Sequence, residues 1–331
     1  MSQVDVTIAG PAGPLGATLE LPNGPGPFAA AVLVSGSGPL DRDSDHPKIR
    51  FGISRQVAEA LAAAGIASLR FDKRGVGTSD LDWRTVGLED NADDVAAAVR
   101  TLQERPEVRD DAVLVIGHSE GAVLAAMVAA RGLPVAGVGL LSGSARTGRE
   151  LLRWQTTAIL PTLPRPVRGL LRLLRVDLAA KVSKNHDKIE RTTTDVARVG
   201  GAKLNAKWFR EFLAHDSAAD LARLRVPVLA VTGAKDLQTP PEDVHRVREI
   251  VGDLAEVHVL PDVTHALRRQ EGAPSLKKYK QEVRRPVDPE VLDLVVGWAR
   301  RVTGTAGTAT PVIPTSSTTR RSTTRKRLDH P

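Results

Sequence analysis

The feature that most constrains this chain is a rhythm. Up to about residue 141, short apolar runs alternate with stretches whose apolar residues recur at helical spacing. Runs at 4–8 and 16–21, joined by a Gly/Pro turn, read as two strands, and 29–35 as a buried one. Residues 51–64 read as a helix with Val57, Leu61 and Ala64 on one face; Gly65 stops it, and 66–70 is the next strand. A helix over 88–102 carries acidic residues in its first turns, which suits the positive end of the helix dipole. A strand at 112–116, a helix at 119–131 and a strand at 135–141 follow. The rhythm breaks over 142–224, which is basic, rich in Leu and Arg, and without a convincing strand. It returns with strands at 226–232 and 255–260 and helices at 241–251 and 289–302. Such alternation requires a mostly parallel sheet covered by helices on both faces, because parallel strands are joined only by crossovers. The expected organisation is one α/β core over 1–141 and 225–302, interrupted by a helical cap at 142–224. Residues 303–331 have the Thr-, Ser- and Gly-rich composition of a disordered tail.

Charge follows the same division. The net charge of +7 comes from the tail, with five basic residues and one acid, and from 146–220, with 15 basic and 8 acidic residues, so the remaining core is acidic. A nucleic-acid partner loses support accordingly, and the 3% aromatic content leaves few rings for base stacking. The chain has no cysteine, which excludes disulfides, thiolate nucleophiles and cysteine-ligated zinc. With no basic start followed by an apolar stretch, the expected location is the cytoplasm.

One motif points to chemistry. The strand at 113–116 runs into Gly117-His118-Ser119-Glu120-Gly121 and then an alanine-rich helix. G-x-S-x-G in that context is a nucleophile elbow: a strained turn projects the serine hydroxyl above the sheet, and the helix start aims N–H groups at the reacting carbonyl. Serine needs a base. Of the eight histidines, His186 and His215 fall in the insertion, His330 in the tail, His245 in a helix pattern and His258 in a strand, while His118 should leave the elbow in another direction. His265 lies just past the last strand, where ligands gather in open α/β sheets; His46 is its rival. Asp236, just past the strand at 226–232, completes the chain order Ser, Asp, His, with Asp262 the competitor. Oxyanion donors are expected from the Glu120 backbone and from Ser37 or Gly38 in the Gly-rich loop after the third strand.

Two charged segments read as structural. Asp72 and Arg74 should brace a turn, and Asp41-Arg42-Asp43 lacks the further ligands a metal would need. Within the insertion, Val167, Leu170, Leu171 and Leu174 form an apolar stripe on a helix, with Arg168, Arg172 and Arg175 on another face. That helix is read as a lid over the core; the alternatives are an acyl-pocket wall or a basic face toward an acidic substrate or an anionic membrane surface.

Over about residues 15–302 the sequence resembles the α/β-hydrolase superfamily, and more narrowly bacterial carboxylesterases. The resemblance rests on Gly-Ser-Gly-Pro-Leu-Asp-Arg-Asp at 36–43, Arg-Phe-Asp-Lys-Arg-Gly-Val-Gly-Thr-Ser at 70–79, the elbow at 117–121, Gly-Ala-Lys-Asp-Leu-Gln at 233–238, and Lys-Trp-Phe-Arg-Glu-Phe at 207–212. Ala122 stands where a second glycine is frequent after the elbow. The resemblance implies cofactor-free, metal-free hydrolysis of a small-molecule ester through an acyl-enzyme. A peptidase or amidase using the same triad, and a non-catalytic binding module, are the alternatives. The substrate and the oligomeric state are left open by the sequence.

Overall fold

The computed structural model describes residues 1–77, 81–174 and 177–305. In chain order the core elements are β1 (Ser2–Gly10), β2 (Gly13–Leu21), β3 (Phe28–Val34), α1 (Ile53–Ala63), β4 (Ala67–Phe71), α2 (Leu88–Gln103), β5 (Val108–His118), α3 (Glu120–Ala130) and β6 (Gly137–Leu141). Between β6 and the next core strand lie α4 (Gly148–Ile159), α5 (Arg165–Leu173), α6 (Leu178–Glu190), α7 (Ala206–Ala214) and α8 (Ser217–Leu221). The core resumes with β7 (Val228–Gly233), α9 (Asp243–Val251), β8 (Ala255–Leu260), α10 (Tyr279–Glu282) and α11 (Pro289–Thr303).

The eight core strands form one sheet in the order β1-β2-β4-β3-β5-β6-β7-β8. β2 pairs antiparallel with β1 and β4, and every other neighbour is parallel. Strand periodicity sorts the core into two layers. Ala30, Val32 and Val34 of β3, with Val113 and Val115 of β5, face α2, α3 and α9. Ala31 and Leu33, with Leu114 and Ile116, face α1 and α11. Helix α3 is apolar around its whole circumference, Gly121 to Val128 all buried, as befits a helix held between the sheet and its neighbours.

The insertion differs from expectation. It contains a hairpin, Val196–Val199 paired with Ala202–Asn205. Its turn is Gly200-Gly201, both at positive φ (62° and 86°), the backbone that a two-residue hairpin needs and that glycine adopts without steric cost. The strands are only four residues long, too short for alternation to stand out. The apolar-stripe helix is present as α5, but Leu174 is 61% exposed. The side chains of Val167, Leu170, Leu171 and Arg172, and Arg175 altogether, lie outside the described residues. So do 306–331, nearly all of the expected tail. Among the described residues no helix is long and apolar enough to cross a membrane.

Candidate active site

Ser119 sits between β5 and α3 at φ 57°, ψ −118°, a conformation that costs a serine roughly 1–3 kcal/mol and persists only where the surroundings enforce it. The enforcement is visible. The Ser119 N–H is held by the Leu141 carbonyl of β6 at 2.8 Å. A Cβ on Gly117 would lie 1.9 Å from the Gly121 carbonyl oxygen, and one on Gly121 would lie 2.1 Å from that of Val34. Neither position admits any other residue, so the two glycines of the motif are fixed by close packing of strand, turn and helix.

The fold brings Ser119, His265 and Asp236 together from three strand ends. His265 Nε2 lies 3.0 Å from Ser119 Oγ, and His265 Nδ1 lies 2.8 Å from Asp236 Oδ2. Asp236 is fully enclosed: its Oδ1 accepts N–H bonds from Gln238 (2.7 Å) and Thr239 (2.9 Å), and its Oδ2 accepts the Thr239 hydroxyl at 2.7 Å. Burial pushes its carboxyl upward, but His265 and these donors outweigh it and hold the group below the ordinary carboxylate range. The competitor Asp262 is exposed and pairs with Lys235. His46, the rival histidine, lines the same cleft, where its Nδ1 accepts the Lys48 N–H at 3.1 Å.

His118 departs from expectation. Rather than leaving the site, its ring lies 4.9 Å from that of His265, and its Nε2 donates to the His265 carbonyl oxygen at 2.8 Å. Burial, then repulsion from His265, pushes its pKa down to about 3, so it is a neutral donor that anchors the backbone carrying the other histidine. A second anchor had no signal in the sequence. Arg268 is 1% exposed, and its guanidinium donates to the carbonyls of Ala266, Phe51 and Arg285, tying the His265 loop to the far wall of the cleft. Burial lowers its pKa to about 10.

The charged turns are structural in geometry. Arg42 grips Asp72 through its Nε and Nη2, Arg74 grips Asp94 in the same two-pronged way, Asp43 accepts from Arg70, and Asp41 caps the backbone of Asp43 and Asp45.

Two cavities share Ser37, and Ser119 lines the smaller of them. One, about 180 Å³, is walled by Leu40, Phe51, Ile53 and Ala266, with Gln238 and the chain's single tyrosine, Tyr279, as polar lining. Burial, then the nearby Asp236 charge, pushes the Tyr279 hydroxyl well above the ordinary phenol range, leaving it a donor at any working pH. The other, about 390 Å³, lies between core and insertion: Trp83 and Val86 face Leu152, Trp208 and Phe209, with Lys73, Asn91 and Glu120 among its polar lining. Ser37 borders both, Gly38 borders the larger at φ 89°, and the Glu120 side chain is buried. Among the described residues, neither the Ser37 nor the Glu120 backbone N–H has a protein acceptor.

With this geometry in place, comparison with known proteins narrows the class. The family model described as serine aminopeptidase, S33, matches residues 50–271, a span containing Ser119, Asp236 and His265. The esterase EstD of Thermotoga maritima is 29% identical over 299 residues. That alignment covers 89% of this chain, which spans 66% of the length of the relative. Among solved structures, the α/β hydrolase GrgF from Penicillium sp. sh18 matches with a TM-score of 0.61 at 18% identity, covering 92% of this chain and 100% of that one. A proline iminopeptidase from Mycobacterium smegmatis matches with a TM-score of 0.60 at 15% identity, covering 91% and 99%. At such identities the two structures share the fold, and fold does not decide between ester and peptide.

Proposed function

Because the chain belongs to the serine aminopeptidase S33 family of α/β hydrolases, we propose that it cleaves carboxylic esters through an acyl-enzyme, with Ser119 as nucleophile, His265 as base and Asp236 as the acid that orients that base. The observation that carries this reading is the unbroken line from Asp236 Oδ2 to His265 to Ser119 Oγ, with contacts of 2.8 and 3.0 Å. Ser119 Oγ attacks the ester carbonyl as its proton passes to His265 Nε2. The negative charge gathering on the carbonyl oxygen is received by the backbone N–H groups of Glu120 and Ser37, with Gly38 next in the loop. His265 then protonates the leaving alcohol, and water repeats the sequence to release the acid. Asp236 keeps the imidazole proton on Nδ1 and balances the charge the ring acquires. Residues 142–224 act as a cap, supplying one wall of the larger cavity.

A peptidase acting at a free N-terminus has a specific requirement that weighs against it. The substrate ammonium needs an uncompensated carboxylate. Among the described residues lining the two cavities, Glu120 is the one carboxylate, and Lys73 neutralises it; Arg74 is paired with Asp94, and Lys203 adds further positive charge. An ammonium entering that cavity is repelled, whereas a neutral ester is not. The test is a panel of p-nitrophenyl acyl esters set against aminoacyl p-nitroanilides, together with fluorophosphonate labelling. Ester turnover with labelling at Ser119 is expected. Turnover of the anilides alone, or labelling at another serine, overturns the reading.

A further inference from the structure

Three consecutive charged residues leave β4. Asp72 is held by Arg42 and Arg74 by Asp94, so the turn is pinned on both sides of Lys73. Lys73 itself points inward, its side chain only 10% exposed. Its ammonium donates to the Gly36 carbonyl oxygen at 2.9 Å and to Glu120 Oε1 at 2.7 Å. These two acceptors lie on the two separate segments that, under the function proposed above, supply the oxyanion donors. We propose that Lys73 is the positioning residue of the oxyanion hole, bridging the 35–38 loop and the start of α3 so that the Ser37 and Glu120 N–H groups converge on one point.

The assignment follows from peptide geometry. The Gly36 carbonyl and the Ser37 N–H belong to one planar trans peptide and point in opposite directions. Anchoring the carbonyl on Lys73 therefore turns the Ser37 N–H away from the ammonium and fixes its direction. The second hydrogen bond acts on the other donor: it holds the side chain of the residue whose own N–H is the partner in the hole. Lys73 touches no reacting atom in this arrangement. Its effect is to set the direction of dipoles that are worth most when they need no reorganisation during the reaction.

The cost of the arrangement argues against a packing role. Glu120 Oε2 is buried with no hydrogen-bond partner, and an orphaned buried acceptor calls for a reason. Both members of the pair are out of water, where desolvation offsets much of their attraction and apolar residues of like volume commonly stabilise a fold as well. What apolar residues cannot supply is a donor to the Gly36 carbonyl.

The inference rests on the esterase reading, and its test separates the two. The full-length protein is compared with K73M, K73R and the double variant K73M/E120Q, which removes the lysine without leaving a buried unpaired carboxylate. Thermal melting and circular dichroism establish folding, and p-nitrophenyl acetate gives kcat and KM. A phenylalkyl boronic acid, which forms a tetrahedral adduct on the serine, reports transition-state complementarity. In K73M we expect kcat to fall roughly 10- to 100-fold, less than the 10²–10³-fold typical of deleting one oxyanion donor outright. KM should stay nearly constant, boronate affinity should weaken in step with kcat/KM, and K73R should recover most of the loss. The double variant should be folded and still slow. A folded double variant with wild-type kcat and boronate affinity overturns the proposal, leaving a mere buried charge pair. So does a change confined to KM, which would make Lys73 a substrate contact. A wild-type protein that neither hydrolyses esters nor labels at Ser119 removes the esterase reading itself, and this assignment with it.

Discussion

The two walls of the cleft are built differently. The smaller cavity is lined by core residues alone: Leu40, Phe51 and Ile53 on one side, His265 and Ala266 on the other, tied across by Arg268. The larger cavity is half core and half insertion. There Trp208 stacks on Phe212 at 4.6 Å and meets Phe209 edge-on at 5.0 Å, and Trp208 and Phe209 line the cavity together with Lys73 and Glu120. The core wall is fixed by close backbone contacts and by Arg268; the insertion wall is held by aromatic packing and by side chains that bond to the core, Asn205 to the Trp83 and Val86 carbonyls and Lys207 to Asp90. Under the proposed function, the contrast assigns chemistry to the core side and selectivity to the insertion side. Changes on the core side should alter the rate for every substrate alike, and changes on the insertion side should alter one substrate relative to another.

The largest test is Ser119→Ala. Loss of the nucleophile should lower kcat on all esters by up to ~10⁶-fold, with the fold intact by circular dichroism. Substantial residual turnover would place the chemistry elsewhere and dissolve the contrast. Next is Asp236→Asn, which should cost up to ~10⁴-fold by favouring the wrong imidazole tautomer, again irrespective of acyl chain length. Rates measured from acetate to decanoate esters check this, and near wild-type rates would move the acid to another residue.

His118→Gln tests the rigidity of the core wall through pH. The folded pKa of about 3 lies below the ordinary histidine value near 6.5, so between these limits the unfolded chain binds the extra proton. Stability from this group is fully present above about pH 6.5 and is lost as pH falls toward 3, at about 1.4 kcal/mol per pH unit. Urea denaturation of wild type and variant at pH 4 to 7 should show a shallower slope in the variant. An unchanged slope would mean His118 is not the buried neutral group described.

On the insertion side, Trp208→Ala should change kcat/KM for aryl esters by about tenfold relative to acetate esters, the scale of apolar pocket discrimination. An equal fall on every ester would break the comparison by showing that the insertion shapes the reacting geometry. Smallest of all, Gly201→Ala places a Cβ in open space at φ 86°, so only backbone strain is added. A loss of about 1–2 kcal/mol in melting experiments, with ester selectivity nearly unchanged, is expected. A large selectivity change would show that the hairpin turn sets the position of the aromatic cluster.

What is local can be read along the chain. Strand–helix alternation fixes the parallel sheet, because side-chain period reports which faces are buried. The elbow at 117–121 is legible because its constraint, two glycines around a strained serine, acts within five residues. Asp236 and His265 stand out as polar residues just past strands, a position that follows from the sheet's topology. The Val-Gly-Gly-Ala turn is equally local, but four-residue strands carry too little alternation to mark its hairpin among basic helices. The remaining contacts join segments far apart in the chain. Lys73 reaches acceptors 37 and 47 residues away, His118 joins the backbone of a loop 147 residues on, and Arg268 meets Phe51 across 217 residues. No periodicity encodes those partners. They meet because crossover connections stack the C-terminal ends of strands distant in sequence side by side, and a buried charge or ring nitrogen must then find its hydrogen bonds among whatever backbone the sheet has brought near.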